Sequence, residues 1–341
     1  MNLFAIAQPR TFSDAVTLLK DRRFTLPVLK AGGMDVVDHL KEGLSAPDAL
    51  INIKRLRRDG NAQAVSMIDG KDREPQIEIE ATATMAEIAA SRMLREQAPV
   101  VGQSVADAAT PQVRNVGTAA GNLLQRPRCW YYRNQQFNCL KKGGDRCYAV
   151  EGENRYHAIF SDGPCHIVHP SNLAPALMVC DAKVHVMGGT RDTIKIADLF
   201  HGPEKGVASE HTLEAGEVVT HIALSPRPAS AFVSIKEKQS FDWPLVMAAV
   251  ALEMDGTKIV RAEVCAGAVS PTPMLLPNVA EALAGADVRN DLGVRKACDL
   301  ASEGARPMSE NAYKVKLLPV AVFRAVMKAA GLDVEQKERA S

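Results

Sequence analysis

The sequence predicts an α+β protein of more than one domain, and three observations carry that expectation. The chain has 341 residues, more than a single core of ordinary size serves at roughly 100–200 residues per domain. Helix-type and strand-type apolar patterns are mixed along its length. An Asp255-Gly256 pair between two long apolar runs marks an antiparallel hairpin in the last third. Hydrophobic residues make up 46% and charged residues 24%, which excludes a disordered or fibrous chain. With 41 basic and 40 acidic side chains the net charge is +1, so electrostatics gives no reason to expect nucleic acid as a partner. The longest near-apolar run, 243–252, falls short of the ~20 residues of a membrane helix, and no membrane insertion is expected. The N-terminus has neither a basic n-region nor a long apolar h-region, so no signal peptide of the chain's own is expected.

Taken in order, residues 13–20 read as an amphipathic helix, with Ser13 and Asp14 as cap residues and Ala15, Val16, Leu18 and Leu19 as its apolar face. Residues 25–30 read as a strand stopped by Gly32-Gly33, and 49–53 as a second strand. Lys54 to Arg58 is a basic run ending at Asp59-Gly60, a solvated turn. Residues 64–68 and 76–80 form a hairpin, and 85–96 a helix. Residues 111–124 are rich in small side chains, Gly117 and Gly121 among them. Residues 126–170 hold four cysteines and four of the five tyrosines but little periodicity. A stretch of that length without regular structure needs a cause, and a bound metal centre is one, because ligand bonds can replace a hydrophobic core. A helix from Leu173 through Leu177, a strand at 183–186, a loop at 207–216 and a strand at 218–224 follow. From about Phe232 the elements lengthen: strands at 248–254 and 259–269, then helices at 279–284 and 317–330, then a polar tail over 332–341.

Three motifs bear on chemistry. Two glycines after a strand, Gly32-Gly33, let the backbone approach a ligand and present several N–H groups in one concave turn suited to phosphate. By themselves they read more readily as a plain turn, and the dinucleotide-binding GxGxxG is absent. The run from Val116 to Leu123 permits close backbone approach, with Thr118 and Asn122 as polar handles. The third motif is the cysteine set. There are seven cysteines, an odd total that argues against a simple disulfide framework, at a density that fits a reducing compartment. Nine residues separate Cys129 from Cys139, seven separate Cys139 from Cys147, and 17 separate Cys147 from Cys165. Four thiolates suit tetrahedral zinc or a [4Fe–4S] cluster, and neither short CxxC knuckles nor the bacterial ferredoxin run is present to choose between them. His157, His166 and His169 lie nearby as substitute ligands or as ordinary surface groups. Cys180, Cys265 and Cys298 sit in apolar contexts and read as packing residues. No GxSxG, HExxH or Walker loop occurs, and His39, His185, His201, His211 and His221 are scattered singly.

The order Ala31-Gly32-Gly33-x-Asp35-Val36, then Thr118-x-x-Gly121-Asn122, then Ser171-Asn172-Leu173 resembles the FAD-binding medium subunit of the molybdenum hydroxylases, the xanthine dehydrogenase and carbon monoxide dehydrogenase family. The resemblance covers essentially the whole chain, including 236–242. The cysteine insertion after Asn122 is similar to that of members carrying an extra [4Fe–4S] cluster, the periplasmic aldehyde oxidoreductases and, more distantly, the 4-hydroxybenzoyl-CoA reductases. Arg128-Cys129-Trp130-Tyr131, Cys139-Leu140-Lys141-Lys142-Gly143-Gly144 and Cys147-Tyr148-Ala149 are its specific part.

The resemblance implies that Val28, Leu29, Lys30, Ala31, Gly32, Gly33, Met34, Asp35 and Val36 cradle the FAD pyrophosphate. It places Thr118, Gly121 and Asn122 beside the flavin and Asn172 and Lys236 (or Lys238) in contact with FAD. It makes Cys129, Cys139, Cys147 and Cys165 the cluster ligands. Met34 stands where the family has Thr, Ala120 where it has Gly, and Asn172 where it has Asp. Asn172 loses a charge but gains a donor. The implied architecture is a two-part FAD-binding domain over 1–226, divided at about 58/59 with the iron–sulfur insertion at 126–168, and a C-terminal α+β domain with an antiparallel sheet over 227–331. The implied function is electron transfer in a heterotrimeric, molybdenum-containing aldehyde oxidoreductase. A large molybdenum-cofactor subunit and a small [2Fe–2S] subunit would be the partners, and an external acceptor would take the electrons. This chain then needs no acid–base dyad, because the cofactor carries the chemistry. The compartment follows as the periplasm, by co-export with a partner, or the cytoplasm. The rival readings are a zinc-binding scaffold or interaction protein without flavin, and a self-contained flavin oxidase.

Overall fold

The computed structural model describes residues 3–58, 63–70 and 74–332. The expected Asp59-Gly60 turn and nearly all of the polar tail lie outside the described residues. The N-terminal part is a small parallel sheet. Strands β1 (Ala5–Ala7), β2 (Pro27–Lys30) and β3 (Ala49–Asn52) lie in the order β1-β3-β2. Parallel neighbours require crossovers, which α1 (Phe12–Leu19) and α2 (Met34–Lys41) provide. The cap of α1 is Thr11 rather than Ser13. Thr11 accepts from the Asp14 N–H at 3.0 Å while the Asp14 carboxylate accepts from the Thr11 N–H, a reciprocal pair that Ser13 has no acid three residues on to complete. Phe12, Ala15, Ile51, Ile53 and Leu56 form this unit's core, with Val218 from the next sheet.

The second sheet has five antiparallel strands in the order β4-β5-β8-β6-β7: β4 (Val65–Asp69), β5 (Pro75–Glu80), β6 (Lys183–Met187), β7 (Thr193–Lys195) and β8 (Val218–Leu224). Between β5 and β6 the chain leaves the sheet for about a hundred residues, which hold the helices of this unit and the cysteine segment. The helix expected at 85–96 is two helices, α3 (Met85–Ala90) and α4 (Arg92–Gln97). Ser91, at φ −63° and ψ 117°, breaks the run, and its hydroxyl caps α4 at the Leu94 N–H, 3.3 Å. Then come α5 (Pro99–Asp107), which the sequence reading passed over, α6 (Pro111–Arg114) and α7 (Ala119–Leu123). The cysteine segment is as irregular as expected, with only α8 (Trp130–Arg133) and a 3₁₀ turn at Leu140–Lys142. α9 (Leu173–Met178) returns the chain to the sheet, and α10 (Ile196–Leu199) follows β7.

The C-terminal unit is an antiparallel sheet in the order β12-β11-β10-β9: β9 (Ser230–Ile235), β10 (Val246–Asp255), β11 (Lys258–Gly267) and β12 (Met274–Leu275). β10 and β11 join through Asp255-Gly256 as expected, with Gly256 at φ 57°, where only a residue without Cβ is unstrained. Helices α11 (Pro277–Leu283), α12 (Asp291–Asp299) and α13 (Tyr313–Ala329) cover one face. α13 starts four residues before the expected Leu317 and contains Pro319, which has no N–H for the Val315 carbonyl. The Ser302 hydroxyl donates to that carbonyl at 2.5 Å instead.

Candidate functional site

The turn after β2 has the geometry of an anion cradle. A Cβ on Gly32 would lie 2.1 Å from the Val116 carbonyl oxygen, so only glycine lets the segment before α7 pass this close. Gly33 sits at φ 83° and forms the N-cap of α2 without a side-chain cap. The first amides of α2 are therefore left for an external acceptor. Val28, Leu29 and Lys30 pair with β3 and hold Ala31 and the turn in place, Val36 lies in the first turn of α2, and Met34 is exposed.

The Asp35 side chain is paired within the chain. Its carboxylate accepts from the Arg126 backbone N–H at 2.8 Å and the Arg133 guanidinium at 2.7 Å, and forms an ion pair with the Arg128 guanidinium at 3.1 Å. Burial opposes its charge, but the Arg128 charge and the two hydrogen bonds outweigh burial and hold its carboxyl below the ordinary carboxylate range. Arg133 also pairs with Glu42 at 3.1 Å, and Arg126 with the buried Glu210 at 2.7 Å, where Lys141 joins it. The side chain of Asp35 thus clamps the cysteine segment onto the start of α2.

Thr118 is the N-cap of α7 and accepts from the Gly121 N–H at 3.3 Å. The Ala120 N–H is spent on the Ala81 carbonyl. Asn122 Oδ1 accepts from the Ser171 hydroxyl at 2.6 Å and the Leu173 N–H at 3.3 Å, so the Thr118–Asn122 turn and the Ser171–Leu173 segment meet directly. Asn172, 3% exposed, holds an Nδ2 with no partner. An orphaned buried donor is costly, and the carbonyl and hydroxyl oxygens of FAD are suitable acceptors. The narrow glycine cradle and this donor are the features that fit the cofactor. Lys236 stands apart: its ammonium bonds the Asp107 carbonyl at 2.7 Å and carboxylate at 2.9 Å, at the C-terminal end of α5.

Cys129, Cys139, Cys147 and Cys165 line one small cavity. The Cys165 thiol donates to Cys147, which lowers Cys147 and raises Cys165. Burial pushes Cys129 up to about 11, and His157 Nε2 lies 3.3 Å from its sulfur. Among the described residues no three His, Cys, Asp or Glu side chains converge on a single-ion site. The cysteines edge a shared cavity instead.

Beside that cavity lies a second one of about 280 Å³, near the lower end of the ~300–1,000 Å³ usual for small-molecule sites. Its walls come from the cysteine segment and from residues 237–247. Trp243 closes one side with the Arg128 guanidinium 5.0 Å from its ring centroid. Three buried polar atoms on this wall have no partner: Trp130 Nε1, His157 Nδ1 and His169 Nε2. Burial pushes His157 down to about 4 and His169 to about 3, so both rings are neutral at neutral pH and each offers one donor and one acceptor. Sequence reasoning placed His169 among the metal-ligand candidates and did not assign Trp243 a role. An aromatic next to Pro in a polar loop was the signal available for Trp243.

A family model described as the FAD binding domain in molybdopterin dehydrogenase matches residues 2–227, and one for the CO dehydrogenase flavoprotein C-terminal domain matches 230–329. The chain is 28% identical over 320 residues to the aldehyde oxidoreductase FAD-binding subunit PaoB of Escherichia coli (strain K12), covering 92% of this chain and 94% of that one. It is 24% identical over 335 residues to the carbon monoxide dehydrogenase medium chain of Afipia carboxidovorans, covering 96% of each. The structure of a Cu,Mo-CO dehydrogenase shares its fold, with a TM-score of 0.71 at 23% identity over 97% of this chain and 98% of that one.

Proposed function

The chain belongs to the family of FAD-binding domains of molybdopterin dehydrogenases, and on that premise we propose that it is the FAD- and [4Fe–4S]-binding electron-transfer subunit of a heterotrimeric, molybdenum-containing aldehyde oxidoreductase. The observation that carries the reading is the meeting of three separate sequence motifs at one place: Gly32 under Val116, and Asn122 on Ser171 and Leu173. In this reading the backbone N–H groups at the start of α2 hold the pyrophosphate, with Gly32 and Gly33 giving it room. Thr118, Gly121 and Asn122 shape the neighbouring wall, and Asn172 Nδ2 donates to the cofactor. The cavity beside Trp243 takes the isoalloxazine ring, whose polar edge suits the unpartnered atoms of Trp130, His157 and His169. Bound FAD supplies a two-electron carrier that can also pass electrons singly. The chain's own residues orient that carrier and keep water from it.

The cysteine set is read as a cluster site because its insertion resembles those of members that carry an extra [4Fe–4S] cluster, and Cys129, Cys139, Cys147 and Cys165 line one small cavity. The flavin-free zinc scaffold is also disfavoured by the family itself. The similarity to PaoB supports aldehydes as the substrate class, oxidised on a large molybdenum subunit, with electrons arriving through a small [2Fe–2S] subunit and leaving to an external acceptor.

The test is assembly followed by reduction. The chain, co-produced with its two partner subunits, is expected to purify as a complex whose flavin bands bleach when benzaldehyde is added without air. The isolated chain is expected not to respond. Bleaching of the isolated chain would instead support a self-contained oxidase.

A further inference from the structure

One buried charge has no function in the site described above. Lys314, in the first turn of α13, is 1% exposed. Its ammonium donates to the carbonyls of Tyr156 at 3.1 Å and Ala268 at 2.8 Å. Among the described residues no carboxylate pairs with it, and burial pushes it down to about 7. Both acceptor residues line the cavity beside Trp243. Ala268 holds its place there at φ 60°, a strained conformation for a residue with a Cβ. Asn311, one turn before Lys314, donates to the His157 and Ala158 carbonyls and fixes the same wall from behind.

We propose that Lys314 is an electrostatic positioning residue for the cofactor, an ammonium behind the cavity wall whose positive charge, held in full by the reduced ring, raises the reduction potential of a flavin ring in that cavity. The inference rests on the reading of this cavity as the ring site. Two electrons and one proton added to the ring leave it one unit more negative. A cation held in a poorly solvated wall favours that reduced form, because little water screens the interaction. The coupling is reciprocal: the negative ring keeps the proton on the lysine, and the protonated lysine stabilises the negative ring. A buried cation without an acid partner is costly to retain for packing alone, and the neighbouring cavity is where a compensating negative charge would arise.

The experiment uses the chain loaded with FAD and iron and compares wild type, Lys314→Gln and Lys314→Arg. Glutamine keeps two N–H donors for the two carbonyls and removes the charge. Spectroelectrochemical titration follows the flavin bands and electron paramagnetic resonance follows the cluster. Lys314→Gln is expected to move the flavin potential to more negative values, Lys314→Arg to stay near wild type, and the cluster potential to move less than the flavin's. An unchanged flavin potential in folded, FAD-loaded Lys314→Gln would overturn the proposal, as would a shift confined to the cluster. If Lys314→Gln fails to load FAD, the Lys314→Arg protein alone decides: a flavin potential far from wild type contradicts a role carried by charge. Trp243→Ala separates the premise from the inference. An unaltered flavin absorption envelope in Trp243→Ala removes the ring from this cavity, whereas a perturbed envelope beside an unshifted Lys314→Gln refutes the lysine's role alone.

Discussion

Asp35 and Gly32 are three residues apart and do opposite things at the same turn. Gly32 matters through what it lacks. Gly32→Ala would place a methyl group 2.1 Å from the Val116 carbonyl, so the two loops must separate. FAD affinity is expected to fall at least ~10-fold, about 1.4 kcal/mol, in a fluorescence titration. Asp35 matters through what it holds. Asp35→Asn keeps one acceptor for the Arg126 N–H but takes the shared carboxylate from Arg128 and Arg133, leaving them Asp38 and Glu42 respectively. A loss of about 2 kcal/mol is expected in chemical denaturation at pH 7. Because the folded carboxyl is held below its unfolded value of ~3.9, this contribution is complete above that value and disappears as pH falls through the folded one. An Asp35→Asn protein as stable as wild type at pH 7 would show that the clamp is ornamental. The resemblance implies a place for Asp35 beside the cofactor, yet no local pattern reveals its partners ninety residues away. The same holds for Lys236, whose sequence neighbours give no hint of Asp107.

At the scale of elements, what a sequence reveals depends on whether the signal is local. The hairpin at Asp255-Gly256, the strand Val218–Leu224 and the glycine turn were legible because turn chemistry and alternation act within a few residues. The break at Ser91 was hidden because a cap residue inside an apolar run reads as part of one helix. Lys314 was hidden because α13 was expected to begin after it; placed on the helix, it stands four residues before the buried Leu318, on the core face. α13 also depends on a neighbour for its proline. Ser302→Ala removes the donor to the Val315 carbonyl and is expected to cost about 1 kcal/mol, with no change in FAD binding. A change in FAD affinity without a change in stability would contradict a purely local role. If the proposed cluster is held by the cysteine segment, Cys147→Ser is expected to lower its iron content and leave FAD bound, because the glycine turn and the Asn122–Ser171 contact need no metal. Joint loss of both cofactors would show that the segment's clamp on α2 depends on the cluster.

The whole molecule is held together by buried groups that must stay neutral as well as by its three sheets. Burial pushes His169 and His221 down to about 3, the latter helped by the neighbouring His185 and Arg58. The unfolded chain takes up protons at these positions below ~6.5 and the folded one does not, so their contribution to stability is complete above ~6.5 and declines as pH falls toward 3. The denaturation midpoint is expected to drop between pH 6.5 and 4.5, and a rise over that interval would refute the assignment. The α+β class was legible because mixed periods and turn signals report it along the whole chain. That the glycine turn, the Thr118 turn and the Ser171 segment meet was legible only through the resemblance, since the contacts joining them span 49 residues or more. The measurement that bears most directly on the proposed function is the ultraviolet–visible spectrum of the protein purified without air, before and after dithionite, with iron and zinc counted on the same sample. The expected result is a two-banded flavin absorption over a broad iron–sulfur shoulder, both bleaching on reduction, with about four irons per chain. A colourless protein that holds zinc, contains no iron and fails to take up added FAD would contradict it.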